Sequence, residues 1–422
     1  MRAPPRALTV RRIAAALACL LLQAAALAAP TAPVVTGFPQ PALDATQLGV
    51  IVNDDDPDSV AIAAYYMQKR GIPAENLIHV RFKPGQSALA REEFAALKRR
   101  VDRVTPKAVQ AYALTWARPW RVDCMSITSA FAFGFSPAYC ASTCQPTQAS
   151  PYFDSSAARP YARYGMRPTM SLAAASVAEA KQLIDRGVAS DGSNPTGTAY
   201  LVSTPDKNRN VRAAGYAAAR TQLQRAIPVE IVEGEALRDR HDVMFYFTGL
   251  ARVPALDSDG FLPGAIGDHL TSAGGELFGG SQMSSLAWLE AGATGSYGAV
   301  VEPCNFPAKF PVPAVVMAHY LQGETLIEAY WKSVQMPGQG LFIGEPLARP
   351  FAGVATQARD GGLTVAARLL APGLYDVQAA PTMIGPYRTV GRLAIRWGMR
   401  EVRLEHVLPA YYRFERRTAP PR

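Results

Sequence analysis

Nine consecutive residues place an acid, an imidazole and two hydroxyls side by side: Gly267-Asp268-His269-Leu270-Thr271-Ser272-Ala273-Gly274-Gly275. The chain has only five histidines. Such residues do nucleophilic chemistry when a hydroxyl attacks, an imidazole takes its proton and a carboxylate orients the ring. Sequence neighbours make that arrangement badly. Adjacent side chains of an extended segment point to opposite faces, so Asp268 does not readily reach the ring of His269. The competing reading has His269 and Thr271 satisfying buried backbone groups. The glycine pair is either a tight turn whose amides hold an anion or a simple bend.

Two further clusters carry reactive types. The glycine-rich run 295–301 leads into Glu302, Cys304 and Lys309. A reactive thiol needs a neighbouring base or cation, which Lys309 or His269 would supply. The alternative is a structural disulfide beside a salt bridge. Asn53 and Asp54 open the acidic run Asn53-Asp54-Asp55-Asp56-Pro57-Asp58. It is not a calcium loop, because counting from Asp54 the sixth position is Ser59 and the twelfth is Tyr65. It reads as a strand-to-helix turn capped by Asp58 or Ser59. Ligands of open α/β sheets sit at that edge, so Asn53, Asp54, Glu302 and Lys309 are candidate binding residues. Asp268, His269, Thr271, Ser272 and Cys304 are the candidate catalytic ones.

GxSxG, GxGxxG, GxxxxGK[ST] and HExxH are all absent. Cys140-Ala-Ser-Thr-Cys144 has no nearby His or second cysteine pair to complete a zinc site, so no metal and no cofactor are expected. A local Cys140–Cys144 disulfide is expected instead, with Cys124 and Cys304 paired or free.

The elements that must position these residues follow an α/β rhythm. Strands are read at 47–53, 76–82, 109–116, 198–203, 242–247, 265–271 and 295–301. Helices are read at 59–70, 92–104, 177–187, 211–227, 284–291, 312–321 and 326–334. That alternation predicts a mostly parallel sheet with helices on both faces. The strands starting at 47, 242, 265 and 295 are expected to bring their carboxyl ends, and so the three clusters, together. After Pro350 short alternating runs separated by Gly and Pro predict a small antiparallel β domain.

The N-terminus reads as a signal peptide over 1–29: Arg2, Arg6, Arg11 and Arg12, then an apolar run, then Ala-Leu-Ala-Ala at 26–29. Residues 30–45 read as a linker, 46–350 as the α/β domain, and 351–422 as a β-sandwich-like domain with a basic tail. An exported, periplasmic or extracellular protein follows, with no transmembrane segment in the mature chain. Removing four arginines takes the net charge from +9 to +9 − 4 = +5, and the basic tail around Arg413 and Arg417 reads as a solvated end, so no nucleic-acid partner is expected. Apolar residues at 49% and charged residues at 18% exclude disorder.

The run of strand 295–301 and the helix containing Gly323-Glu-Thr-Leu-Ile-Glu-Ala-Tyr-Trp-Lys-Ser333 resembles the end of the caspase/gingipain-like peptidase domain. The resemblance implies that fold over about 47–350. It also implies a catalytic His after one strand and a Cys after the next. Those positions here hold Thr248 and Ser272, so the dyad is missing. The chain is also similar to an uncharacterised family of exported bacterial proteins through Asn-Asp-x-Asp-Pro, Asp-His-Leu-Thr-Ser, Glu-Pro-Cys, Lys-Phe-Pro and Glu-Ala-Tyr-Trp-Lys-Ser. Two functions stay open: a hydrolase of altered chemistry, and a non-catalytic binding or cell-surface protein retaining the fold.

Overall fold

The structure is a computed structural model. It describes residues 34–36, 42–141, 144–193, 195–224 and 226–352, then strands and short stretches within 355–417. The expected signal peptide, 1–29, lies outside the described residues.

Apolar runs bounded by turns form the strands: β1 Val34–Thr36, β2 Leu48–Asn53, β3 Leu77–Val80, β4 Ala111–Leu114, β5 Thr169–Ser171, β6 Thr198–Ser203, β7 Val229–Glu233, β8 Val243–Thr248, β9 Phe261–His269, β10 Gly295–Ala299 and β11 Gly340–Gly344. All but β1 join one ten-stranded sheet in the order β7-β6-β8-β9-β10-β11-β5-β4-β2-β3. It is mostly parallel, and β11 runs antiparallel to β10. The sheet's two halves meet at a single residue pair, Ile343 and Ser171.

Alternation along the strands feeds two cores. Val50 and Val52 of β2 face helices α1 Pro57–Arg70, α4 Val177–Ser190, α5 Tyr216–Leu223, α7 Pro313–Leu321 and α8 Leu326–Ser333. Ile51, between them, faces α2 Arg91–Val104, α3 Ile127–Phe133 and α6 Leu286–Glu290. The sequence sets helix starts locally. Asp56, not Asp58 or Ser59, caps α1 by accepting from the Asp58 amide. In Thr325-Leu-Ile-Glu328, the Glu328 carboxylate accepts from the Thr325 amide and hydroxyl, a capping box for α8.

Residues from 355 on form antiparallel sheets. The strands are β12 Ala355–Gln357, β13 Leu363–Val365, β14 Gly373–Ala380, β15 Arg388–Ile395, β16 Val402–Leu404 and β17 Tyr411–Arg416. One sheet runs β12-β13-β16 and the other β1-β17-β14-β15. Leu363, Tyr375, Val377, Leu393 and Phe414 share a core of their own. Two readings change here. Part of the expected 30–45 linker is a strand, β1, which pairs with β17. The tail read as a solvated end is in part a strand: Arg413 and Arg416 lie in β17, and Arg417 after it is exposed.

Candidate functional site

Asp268 and His269 end β9, and the strand's period sends them to opposite faces. Asp268, 1% exposed, meets Arg212: Arg212 Nη1 lies 2.6 Å from Asp268 Oδ1. Arg212 also donates to the carbonyl oxygens of Thr248 and Pro311. Burial raises the Asp268 pKa and the guanidinium opposes it. This is a structural pair closing the space between β8, β9 and the loop before α7.

His269 is equally buried on the other face. The Trp288 indole N–H donates to its Nδ1 at 2.9 Å. That makes Nδ1 the acceptor, so Nε2 carries the proton and donates to the Met283 carbonyl at 3.1 Å. Burial pushes the imidazole pKa down to about 3, so it is neutral at ordinary pH. Neither ring nitrogen is available, and the expected catalytic role of His269 is corrected: it ties β9 to the 283–288 segment.

Beyond the strand, the chain turns outward. Thr271 accepts from Arg209 Nε at 3.1 Å and donates to Gln282 Oε1 at 2.6 Å. Ser272 is half-buried and makes no hydrogen bond with the described residues through its hydroxyl. The glycine pair is no anion nest. Gly275 donates its amide to Ala299 at 2.8 Å, and a Cβ on Gly298 would fall 2.3 Å from the Gly274 carbonyl carbon. The glycines let this loop lie directly on β10.

The result is a cavity of ≈ 350 Å³ whose walls include Asn208, Arg209, Thr271, Ser272, Glu302 and Asn305. Both Cys144 and Cys304 line it. They are bridged, across 160 residues with Cα atoms 5.4 Å apart. Cys124 pairs with Cys140 instead, Cα atoms 5.6 Å apart. The expected Cys140–Cys144 disulfide is therefore wrong. Cys140 packs inward with Cys124 against the core, whereas Cys144, four residues on, is exposed at the cavity. Cys304 is no free thiol, so its candidate nucleophilic role falls with it.

Lys309 does not line the cavity. It is 1% exposed, with Nζ 5.2 Å from the Phe306 ring centroid. No described residue accepts from that Nζ. Burial lowers its pKa and Glu302 opposes the shift. Thr248, where the resemblance puts a histidine, is fully buried. A Cβ on the next residue, Gly249, would fall 1.8 Å from the Arg209 carbonyl oxygen.

Asn53 and Asp54 belong to neither the cavity nor its rim. Asn53 is fully buried and pairs with the Phe82 backbone in both directions. Asp54 Oδ1 sits 2.7 Å from His79 Nδ1 and its Oδ2 3.4 Å from Arg81. The expected convergence with His269 fails on strand order: β10, β11, β5 and β4 lie between β9 and β2. Five steps of ~4.8 Å separate them by roughly 24 Å. The β2 end opens on a different cavity, ≈ 410 Å³, walled by Asp56, Asp58, Trp116, Arg118 and Phe278.

Asn208 and Arg209 are the site residues that sequence reading passed over. They follow β6, in a polar loop at the carboxyl end of a strand, which is the same signal that singled out Asp54. Arg209 is held by Asp206 at 2.9 Å, an i,i+3 pair. Among the described residues no three His, Cys, Asp or Glu side chains group to hold a metal ion.

No family model matches the chain, and no curated protein matches it. Two solved structures are similar in shape. One is the complex of Porphyromonas gingivalis RgpB pro- and mature domains: TM-score 0.44, 8% identity, 88% of this chain and 94% of that one covered. The other is described as a protease: TM-score 0.39, 10% identity, 89% and 98% covered.

Proposed function

We infer that the chain is a binding protein of an oxidising compartment, whose 350 Å³ cavity takes a small polar ligand carrying a carboxylate. One observation carries the non-catalytic half: both nitrogens of His269 are engaged, by Trp288 and Met283, away from the cavity. Ser272 is then a hydroxyl without a base, and an unactivated serine is a weak nucleophile. Cys304 is bonded through its sulfur. The ligand class follows from Arg209. Its guanidinium is fixed through Nε by Thr271 and through Nη1 by Asp206, which leaves Nη2 as the donor to a ligand carboxylate. Asn208, Ser272 and Asn305 add neutral donors around it. Export is supported by the two disulfides.

Calorimetric titration tests this with short peptides of one sequence, ending either in a free carboxylate or in an amide. The acid form binds, the amide form does not, and Arg209→Gln weakens the acid form at least tenfold. Ester or peptide turnover that disappears in Ser272→Ala would overturn the reading in favour of a hydrolase.

A further inference from the structure

The two bridges are unequal in access. Cys124 and Cys140 are half-buried and pack against the core that holds Trp116 and Trp120. Cys144 is exposed, Cys304 is half-buried, and both line the cavity. Exchange begins only when a thiolate reaches a sulfur, so access alone separates the pairs.

Backbone conformation separates them again. Cys304 has φ 57°, left-handed for a residue with a Cβ. Its amide donates to Glu302 Oε1 at 2.7 Å. On either side the wall is pinned independently of sulfur: Gln339 donates to the Glu302 carbonyl at 3.0 Å, and the Tyr297 hydroxyl donates to the Lys309 carbonyl at 2.5 Å. Between those pins, residues 303–308 are held by two long-range ties, the bridge to Cys144 and the Met336 amide donating to the Ala308 carbonyl, so the bridge is the tie nearest the Cys304 end.

We propose that the Cys144–Cys304 bridge is a reaction site for dithiols entering the cavity, and that its opening loosens the wall at 303–308. A thiolate of the dithiol attacks the sulfur of the exposed residue Cys144, and the Cys144–Cys304 bond breaks with Cys304 leaving as thiolate. The second thiol of the reagent then attacks its own mixed disulfide and releases Cys144. The dithiol is oxidised to a disulfide, the protein bridge is reduced to two thiols, and the reagent's two protons end on Cys144 and Cys304. Cys124–Cys140 stays closed. The proposal uses the cavity described above and does not depend on the carboxylate reading.

Full-length oxidised protein, equilibrated under native conditions in graded mixtures of reduced and oxidised dithiothreitol, provides the test. Alkylation and peptide mapping then read each pair, and hydrogen exchange reads the wall through its hydrogen-bonded amides, Cys304 to Glu302, Lys309 to Phe306 and Phe310 to Pro307. Cys144 and Cys304 should become alkylated together, at a reduced-to-oxidised ratio at least tenfold below that needed for Cys124 and Cys140. Exchange at the Cys304, Lys309 and Phe310 amides should rise at least tenfold over the same range while 295–299 does not change. The double variant Cys144→Ser with Cys304→Ser should show the fast exchange without reductant. Both pairs opening together, the reverse order, or bridge opening with unchanged exchange at the Cys304, Lys309 and Phe310 amides would each overturn the proposal, and the wild-type measurement decides even if the variant does not fold. Loss of carboxylate-peptide binding, or its absence, leaves these readouts untouched.

Discussion

At the scale of single residues, His269 shows how a reactive type becomes structural. Its pKa is depressed to about 3 by burial, against ~6.5 for a free imidazole. The unfolded chain therefore binds a proton that the folded chain refuses. The stability this group contributes is fully present above about pH 6.5 and is lost as pH falls toward the folded value, at up to ~1.4 kcal/mol per pH unit. Denaturant unfolding of wild type and His269→Gln at pH 7, 5.5 and 4.5 should show the gap between them narrowing on acidification. Parallel curves would mean the ring is not held neutral. The opposite orientations of Asp268 and His269 were legible from the strand's period of two. The partner was not: Trp288 is nineteen residues on, and nothing local to either residue marks the contact. Cys304 failed for a similar reason, since its partner is 160 residues away.

Elements were legible where the apolar pattern was long. β2, α1, α2, α7 and α8 fall within two residues of the expected bounds at either end, and β6 matches at both. In the ten-stranded sheet the strands missed were β5, only three residues long, β7 and β11. Val229–Glu233 lies at a sheet edge with no residue fully buried and with Ile231 and Val232 breaking its alternation, a weak signal for its length. Gly340–Gly344 is wholly buried but has only Leu341, Phe342 and Ile343 between glycines. Those glycines are required by packing. A Cβ on Gly340 would fall 1.8 Å from the Tyr297 hydroxyl oxygen, the group that holds the Lys309 carbonyl. Gly340→Ala should cost about 1–3 kcal/mol in unfolding free energy, typical of overpacking a tight core. Adding Tyr297→Phe should recover little of it, because the ring carbons Cζ and Cε2 would still fall 2.2 and 2.4 Å from that Cβ. A fully tolerated Gly340→Ala would show that β11 lies further from β10 than described.

At the scale of the molecule, the mostly parallel sheet was legible from the strand–helix rhythm, while the order of its strands was not. Rhythm reports neighbours along the chain, and the sheet inserts β11 and β5 between segments that the sequence leaves far apart. That insertion is what put Asn53 and Asp54 roughly 24 Å from His269. The residues beyond 355 have their own core, and we propose a boundary near 350. A chain covering 42–352 should unfold cooperatively with a near-native midpoint by circular dichroism; a broad, early transition would show one shared core. β1 has a consequence in time. Val34 pairs with Phe414, a separation of 414 − 34 = 380 residues. At synthesis rates of about 5–20 residues per second, its partner strand is made roughly 20–80 s after it. Through that interval an early edge segment waits with its ladder unfilled, so the last-made strand decides when the small sheet closes.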